Sequence, residues 1–163
     1  MKVLNNLLIL ILLISTLSAC SLSSGKIKNE NTASTYDKEK ALKYKADELG
    51  MKKYVMAFLK RGPNRETDPG KAAELQKAHL QNIGRMADEG KLILAGPFLD
   101  DGELRGIYIF NVETLDEARQ LTETDPAIKS GHLSMELKPW YGSAALMEVN
   151  AIHKTLSSKK LGE

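Results

Sequence analysis

From residue 52 onward, hydrophobic positions follow two spacings, one typical of strands and one typical of helices. Runs that are apolar at nearly every position, or at every second position, predict strands. Apolar residues three or four positions apart predict helices with one buried face. The predicted strands cover 54–59, 91–95, 104–112 and 132–137, and the predicted helices cover 68–89 and 114–125. The resulting order is βαββαβ.

Signals at the helix ends support this order. Asp68 precedes Pro69, which is the pattern of an N-cap followed by proline in the first turn. Thr114 and Glu117 form a capping box, and the helix that they open is predicted to turn its apolar residues inward, namely Leu115, Ala118 and Leu121. A shorter helix is predicted over 37–50, with an apolar face formed by Leu42, Ala46 and Leu49 and a stop at Gly50.

The order βαββαβ predicts an α+β, ferredoxin-like fold, an antiparallel sheet with two helices on one face. In that topology the first and third strands are central, and here both are apolar on both faces. An uncovered second face would be a large apolar patch. We therefore expect a second copy of the sheet to cover it in a homodimer of the α/β-barrel type. The alternatives are the helix before the domain and the segment that follows Trp140.

The N-terminus predicts export and lipid attachment. Lys2 precedes an apolar run at 7–14 that is too short for a ~30 Å hydrocarbon core. Shortly after the run comes Leu17-Ser18-Ala19-Cys20, which resembles the bacterial lipoprotein box. We expect 1–19 to be a signal peptide, Cys20 to carry the lipid, and the polar stretch 20–36 to be a flexible tether. The alternatives are an ordinary signal peptide that contains a cysteine, or an expression scar.

Composition narrows the function classes. The net charge is +2 with acids and bases interspersed, so nucleic acid is not an expected partner. Cys20 is the only cysteine, which excludes an intrachain disulfide, and three histidines without cysteine partners predict no metal site. The chain contains no phosphate-binding glycine loop, and no cofactor is expected. The anchor predicts the cell envelope, with Ser21 favouring the outer membrane facing the periplasm in a cell that has two membranes.

His79 is the first candidate for chemistry, because it lies on the apolar stripe of the helix at 68–89, one turn after Gln76. A buried imidazole near a carboxylate such as Asp125 can act as a general base. The structural alternatives are a core histidine with satisfied nitrogens and a turn cap at Asp125. His132 and His153 are interpreted as surface or edge residues.

Two other groups carry weaker signals. Gly96-Pro97 is explained by a turn, although backbone there could steady a developing oxyanion. The three arginines near predicted turns could bind an anion, but solvated arginines are commoner there; they are Arg61, Arg65 and Arg105.

Five segments between residues 52 and 141 form a recognisable set, namely Lys60-Arg61-Gly62-Pro63-Asn64, Gln76-Lys77-Ala78-His79, the stretch 90–98, Asp125-Pro126-Ala127 and Pro139-Trp140. In order and spacing they resemble the YCII-related family of small α+β proteins. The resemblance implies a dimeric ferredoxin-like domain with an active site formed by His79 and Asp125. Family members are typically short and lack an export signal, whereas this chain has the predicted anchor and a C-terminal extension at 142–163. That extension has apolar residues at roughly helical spacing and is expected either to pack on the domain or to lie loose.

Together these observations predict an envelope-anchored, cofactor-independent enzyme that acts on a small organic molecule. His79 and Asp125 would form the general base, with Gln76, Gly96 and Pro97 as pocket or oxyanion candidates. Isomerisation, elimination and hydrolysis fit this chemistry. The alternative is a non-catalytic, ligand-binding or structural dimeric lipoprotein.

Overall fold

Four antiparallel strands form one sheet in the computed structural model, which describes residues 35–162. The strands are β1 (Met51–Arg61), β2 (Leu92–Pro97), β3 (Leu104–Phe110) and β4 (Leu133–Ser143), in the spatial order β2-β3-β1-β4. The predicted ferredoxin-like fold, with the first and third strands at the centre, is confirmed. β4 continues past the predicted end at 137 through Pro139, which an edge strand tolerates because one of its sides has no ladder.

Three helices follow the predicted signals. Helix α2 (Pro69–Asp88) begins at its Asp68 cap, whose carboxylate accepts the Lys71 N–H at 2.9 Å. Helix α3 (Leu115–Thr122) begins with the predicted capping box. A third helix, α4 (Pro126–Lys129), is capped by Asp125. Ala118 is buried as predicted, whereas Leu115 at the first position of α3 is 36% exposed, so its predicted inward orientation is wrong.

The main core lies between α2, α3 and one face of the sheet. Alternate residues of the two central strands meet the helices there, as the period of two requires. The cluster contains Val55, Ala57, Leu59, Ile83, Met86, Leu92, Tyr108, Phe110, Val112 and Ala118. Contacts group Tyr36–Glu163 as one compact unit, which contains this core and can therefore fold as a domain.

The C-terminal extension packs on part of the opposite sheet face. A 3₁₀ helix (Ala144–Glu148) and helix α5 (Val149–Leu156) follow β4 directly. Their apolar residues cover a second cluster, in which Tyr54, Ile93 and Ile109 are buried beside Met56, Leu94, Trp140, Leu146, Met147 and Val149. The Asn150 side-chain N–H donates to the Leu92 carbonyl at 2.7 Å and fixes α5 to β2. Of the three covers considered for this face, the C-terminal segment is the one seen within the chain.

The segment before β1 differs from its prediction. Helix α1 spans only Lys38–Lys43, and Leu42 and Leu49 of the predicted apolar face are 70% and 79% exposed. The helix ends because Lys45 adopts a left-handed φ of 54°, with its N–H donating to the Leu42 carbonyl at 3.1 Å. After this stop, the Asp47 carboxylate accepts the backbone N–H groups of Leu49 and Met51, both at 2.9 Å, and stabilises a turn. The predicted helix over 37–50 is thus wrong beyond residue 43.

The predictions for the N-terminus concern residues that are not described. Signal peptide 1–19, Cys20 and nearly all of the tether 20–36 lie outside 35–162. Within residues 35–162, no helix combines the length and the apolar character that crossing a membrane requires.

Candidate functional site

His79 lies on the sheet-facing side of α2, four residues from Leu75 and four from Ile83. The residue is 8% exposed, and its ring lines a cavity between α2 and the sheet. The predicted position on the buried stripe is confirmed. An imidazole so placed is shielded from bulk water on most sides but can still reach a molecule in the cavity.

Asp125 lies against His79, although 46 residues separate them in sequence. Its carboxylate is completely buried because α4 packs against α2. His79 Nδ1 is 2.8 Å from Oδ2 and 3.0 Å from Oδ1, and Oδ1 also accepts the Ala127 N–H at 2.9 Å. Asp125 therefore caps α4 and holds the His79 ring with the same side chain.

The Asp125 contact determines which His79 nitrogen carries the proton. A carboxylate accepts hydrogen bonds, so the arrangement favours the neutral tautomer with hydrogen on Nδ1. Nε2 is then left with a free lone pair. Its neighbour is the Tyr108 hydroxyl at 3.4 Å, a long contact with room for a ligand atom to compete.

Tyr108 is a site residue that the sequence did not identify. Its ring lies in β3, 2% exposed, with its centroid 6.4 Å from that of His79 and the two planes 22° apart. Burial, reinforced by the negative charge of Asp125, raises the pKa of Tyr108 well above its ordinary value, so the side chain stays a phenol and can donate a hydrogen bond. The signal was available in the alternation of β3, which places Tyr108 on the helix-facing side with a hydroxyl that needs a partner.

The cavity beside His79 has a volume of about 470 Å³, within the range of small-molecule sites. Gly106 lines the cavity where β2 and β3 lie close together, and a Cβ there would stand 2.5 Å from the Gly96 carbonyl oxygen, so that no larger residue fits. The wall combines apolar residues with a few polar ones, namely Leu59, Arg61, Arg65, Ala72, Leu75, Gln76, Leu80, Ile83, Ala95, Gly96, Pro97, Arg105, Ala127, His132, Leu133 and Leu161. Leu161 brings the C-terminal extension to the site.

The three predicted pocket candidates, Gln76, Gly96 and Pro97, all line this cavity, but they differ in the hydrogen bonds that they can donate to a ligand. Gly96 stands opposite Ile107, and the next bond of that ladder joins the Phe98 N–H to the Arg105 carbonyl at 3.0 Å. By the alternation of an antiparallel pair, the Gly96 N–H points at β3 rather than into the cavity. Pro97 has no N–H. The Gln76 side chain makes no hydrogen bond with the part of the chain that is described, so its amide can serve a ligand.

The other two histidines lie in different surroundings. His153 is exposed on α5, as expected. His132 is half-buried directly before the edge strand β4, which agrees with its interpretation as a surface or edge residue. It also lines the cavity, and its Nδ1 is buried with no partner in 35–162. No three His, Cys, Asp or Glu side chains among the described residues are grouped to hold a metal ion.

Comparisons with known proteins give a family match and similar proteins. The model of the YCII-related domain matches residues 51–141. A 62-residue stretch, 38% of this chain and 71% of its relative, is 31% identical to the uncharacterized protein YjpA of Bacillus subtilis strain 168. A solved structure of 5-chloro-2-hydroxyhydroquinone dehydrochlorinase (TftG) from Burkholderia phenoliruptrix AC1100, in complex with 2,5-dihydroxybenzoquinone, is 20% identical with a TM-score of 0.41, over 53% of this chain and 92% of that one. The family match spans more than half of the sequence, and the chain belongs to the YCII-related domain family.

Proposed function

We propose that this protein is a cofactor-independent enzyme in which His79 acts as a general base on a small organic molecule. The observation that carries the proposal is the pairing of His79 Nδ1 with the buried Asp125 carboxylate at 2.8 Å, with the ring beside a cavity of about 470 Å³. A carboxylate that fixes the tautomer and stabilises the imidazolium is the usual partner of a histidine base.

The reaction begins when Nε2 takes a proton from a carbon or hydroxyl of the bound molecule. The imidazolium that forms is stabilised by Asp125, which already accepts the Nδ1 proton. The electron pair left on the substrate moves to a carbonyl oxygen, and hydrogen bonds from the Tyr108 phenol and the Gln76 amide stabilise the developing charge. Return of the proton to another atom completes an isomerisation, and departure of a neighbouring group completes an elimination.

Proton transfer fits the site better than nucleophilic catalysis. Among the described residues, the hydroxyl beside Nε2 is the phenol of Tyr108, whose raised pKa makes it a poor nucleophile. Hydrolysis remains compatible if His79 activates a water molecule. A ligand-binding module without chemistry is the alternative that the experiment below separates from catalysis.

Hydrogen–deuterium exchange tests the proposal without a known substrate. The protein is incubated in D₂O with small carbonyl compounds, keto acids and lactones, and loss of C–H signals is followed by proton NMR. A general base accelerates exchange at carbons next to a carbonyl, and we expect this for the wild type and for a His153→Gln control. Ligand-induced chemical shifts without exchange would indicate a binding module instead.

We also propose that Cys20 anchors the protein to the cell envelope by lipid. The support is the sequence Leu17-Ser18-Ala19-Cys20 after a short apolar run. Wild-type protein is expected in the membrane fraction with incorporated palmitate, and Cys20→Ser is expected to lose the label because no thiol remains to be acylated. Equal labelling of the two proteins would contradict the anchor.

A homodimer through the second sheet face is a further proposal. Met56, Phe58 and Ile107 are half-buried on that face, by the alternation of their strands. We expect sedimentation velocity of residues 36–163 to show a dimer, and Phe58→Glu to give a monomer because a charge would be buried in the interface. Leu99→Glu, at a fully exposed loop residue, is the matched control and should stay dimeric. A monomeric wild type would contradict the proposal.

A further inference from the structure

The cavity beside His79 is positively charged. Three arginines line it, namely Arg61, Arg65 and Arg105, and no aspartate or glutamate does. The two carboxylates nearby are already engaged, because Asp125 pairs with His79 and Asp101 lies between two of the arginines. A wall that carries only positive formal charge favours an anionic molecule.

The three arginines differ in what holds them. Arg61 and Arg105 both pair with the Asp101 carboxylate, and both donate to the Gly102 carbonyl at 3.3 Å. The guanidinium groups of Arg61 and Arg105 hold the pKa of Asp101 below its ordinary value, and the charge of Arg61 makes the largest contribution. Arg65 makes no hydrogen bond or ion pair with any other residue in 35–162, although it lines the same cavity. Arg65 therefore has all of its donors available.

Two more side chains in the wall have unused hydrogen-bonding capacity. His132 Nδ1 is buried without a partner in the described chain, and Gln76 donates to none of those residues. A buried polar atom without a partner is uncommon in folded proteins and costs stability unless a bound molecule satisfies it. Arg65 and Gln76 therefore offer donors to the cavity, and His132 Nδ1 offers one more polar atom that a bound molecule can satisfy.

We propose that the cavity binds small monocarboxylates, with Arg65 as the residue that holds the carboxylate; this inference rests on the proposed function and names the class of its substrate. A planar guanidinium matches a carboxylate in a two-point hydrogen bond. The apolar wall receives the rest of the molecule beside His79. A guanidinium also matches phosphate, so inorganic phosphate is the competing anion in the test below.

Matched pairs of an acid and its amide test the charge requirement. Isothermal titration of residues 36–163 uses benzoate against benzamide and hexanoate against hexanamide. We expect at least one carboxylate to bind about tenfold more tightly than its amide, since a charge-assisted hydrogen bond is worth about that factor. Arg65→Gln should remove this tenfold preference and leave the amide affinity unchanged.

Arg119→Gln is the control, because it removes one positive charge from an exposed ion pair on α3, with Asp116, that does not line the cavity. It should preserve the preference for the carboxylate. The inference is overturned if no carboxylate binds more tightly than its amide, if Arg65→Gln and Arg119→Gln have equal effects, or if inorganic phosphate binds more tightly than the carboxylates.

Failure of this inference is distinguishable from failure of the proposed function. His79→Gln should abolish deuterium exchange yet keep the carboxylate preference, since Arg65 is untouched. Exchange that depends on His79 without any carboxylate preference would overturn the inference alone. A carboxylate preference without exchange would support the inference and contradict the catalytic role.

Discussion

His79→Gln is expected to lower the rate of deuterium exchange, or of turnover once a substrate is known, by about 10²–10⁴-fold, the usual contribution of a positioned general base. Glutamine approximates the volume of imidazole, and its amide can donate to the buried Asp125 carboxylate. It offers no basic nitrogen at the position of Nε2. The domain should therefore stay folded, with a midpoint of thermal unfolding within a few degrees of the wild-type value.

The measurement pairs the exchange rate with thermal unfolding followed by circular dichroism. His153→Gln, the same change at an exposed position of α5, is the matched control and should keep the wild-type rate. A folded His79→Gln protein that retains the wild-type rate would contradict the role of His79 as the base.

Asp125→Asn is expected to have the second large effect. The rate of deuterium exchange should fall by about 10³–10⁴-fold, with little loss of stability. Asparagine caps helices as well as aspartate does, so its carbonyl can still accept the Ala127 N–H. Its amide N–H₂ then faces His79 Nδ1 and makes that nitrogen an acceptor. The ring proton moves to Nε2, which loses its lone pair, and a change of tautomer of this kind in a catalytic triad costs about 10⁴-fold.

Asp68→Asn is the control that the chain itself provides. Asp68 and Asp125 are both N-caps followed by proline, but Asp68 is exposed at the start of α2 and its side chain makes no contact with a histidine. Its replacement should leave the deuterium-exchange rate unchanged and change the free energy of unfolding by no more than about 0.5 kcal/mol. Equal losses in the two variants would assign Asp125 a capping role only.

The two halves of the pair were predictable to different degrees. Helical spacing alone places His79 on the buried face of α2, because Leu75 and Ile83 fix the orientation of that helix. Asp125 was raised from the residues as one carboxylate that could partner His79, with a turn cap as the alternative, and the resemblance to a family implied the pair. Local sequence explains Asp125 fully as a cap, and its second contact arises from packing of α4 on α2, over 46 residues of sequence.

Where prediction and structure differ, the cause is a contact or a backbone conformation that hydrophobic spacing does not encode. The contact of Tyr108 with His79 was not predicted, because it depends on how α2 crosses the sheet. Helix α1 was predicted too long because Lys45 ends it in a left-handed conformation, and lysine is not a residue that typically marks a helix stop. The C-terminal segment was one of several possible covers for the second sheet face, and the choice depends on bonds such as that from Asn150 to Leu92.

The central claim is that Asp125 keeps the proton on His79 Nδ1 and leaves Nε2 free toward the cavity. Nitrogen-15 NMR of the histidine rings at pH 8, in residues 36–163, measures this tautomer directly. We predict a protonated Nδ1 and an unprotonated Nε2 for His79 in the wild type, with the two reversed in Asp125→Asn. A wild-type His79 that carries its proton on Nε2 would contradict the account.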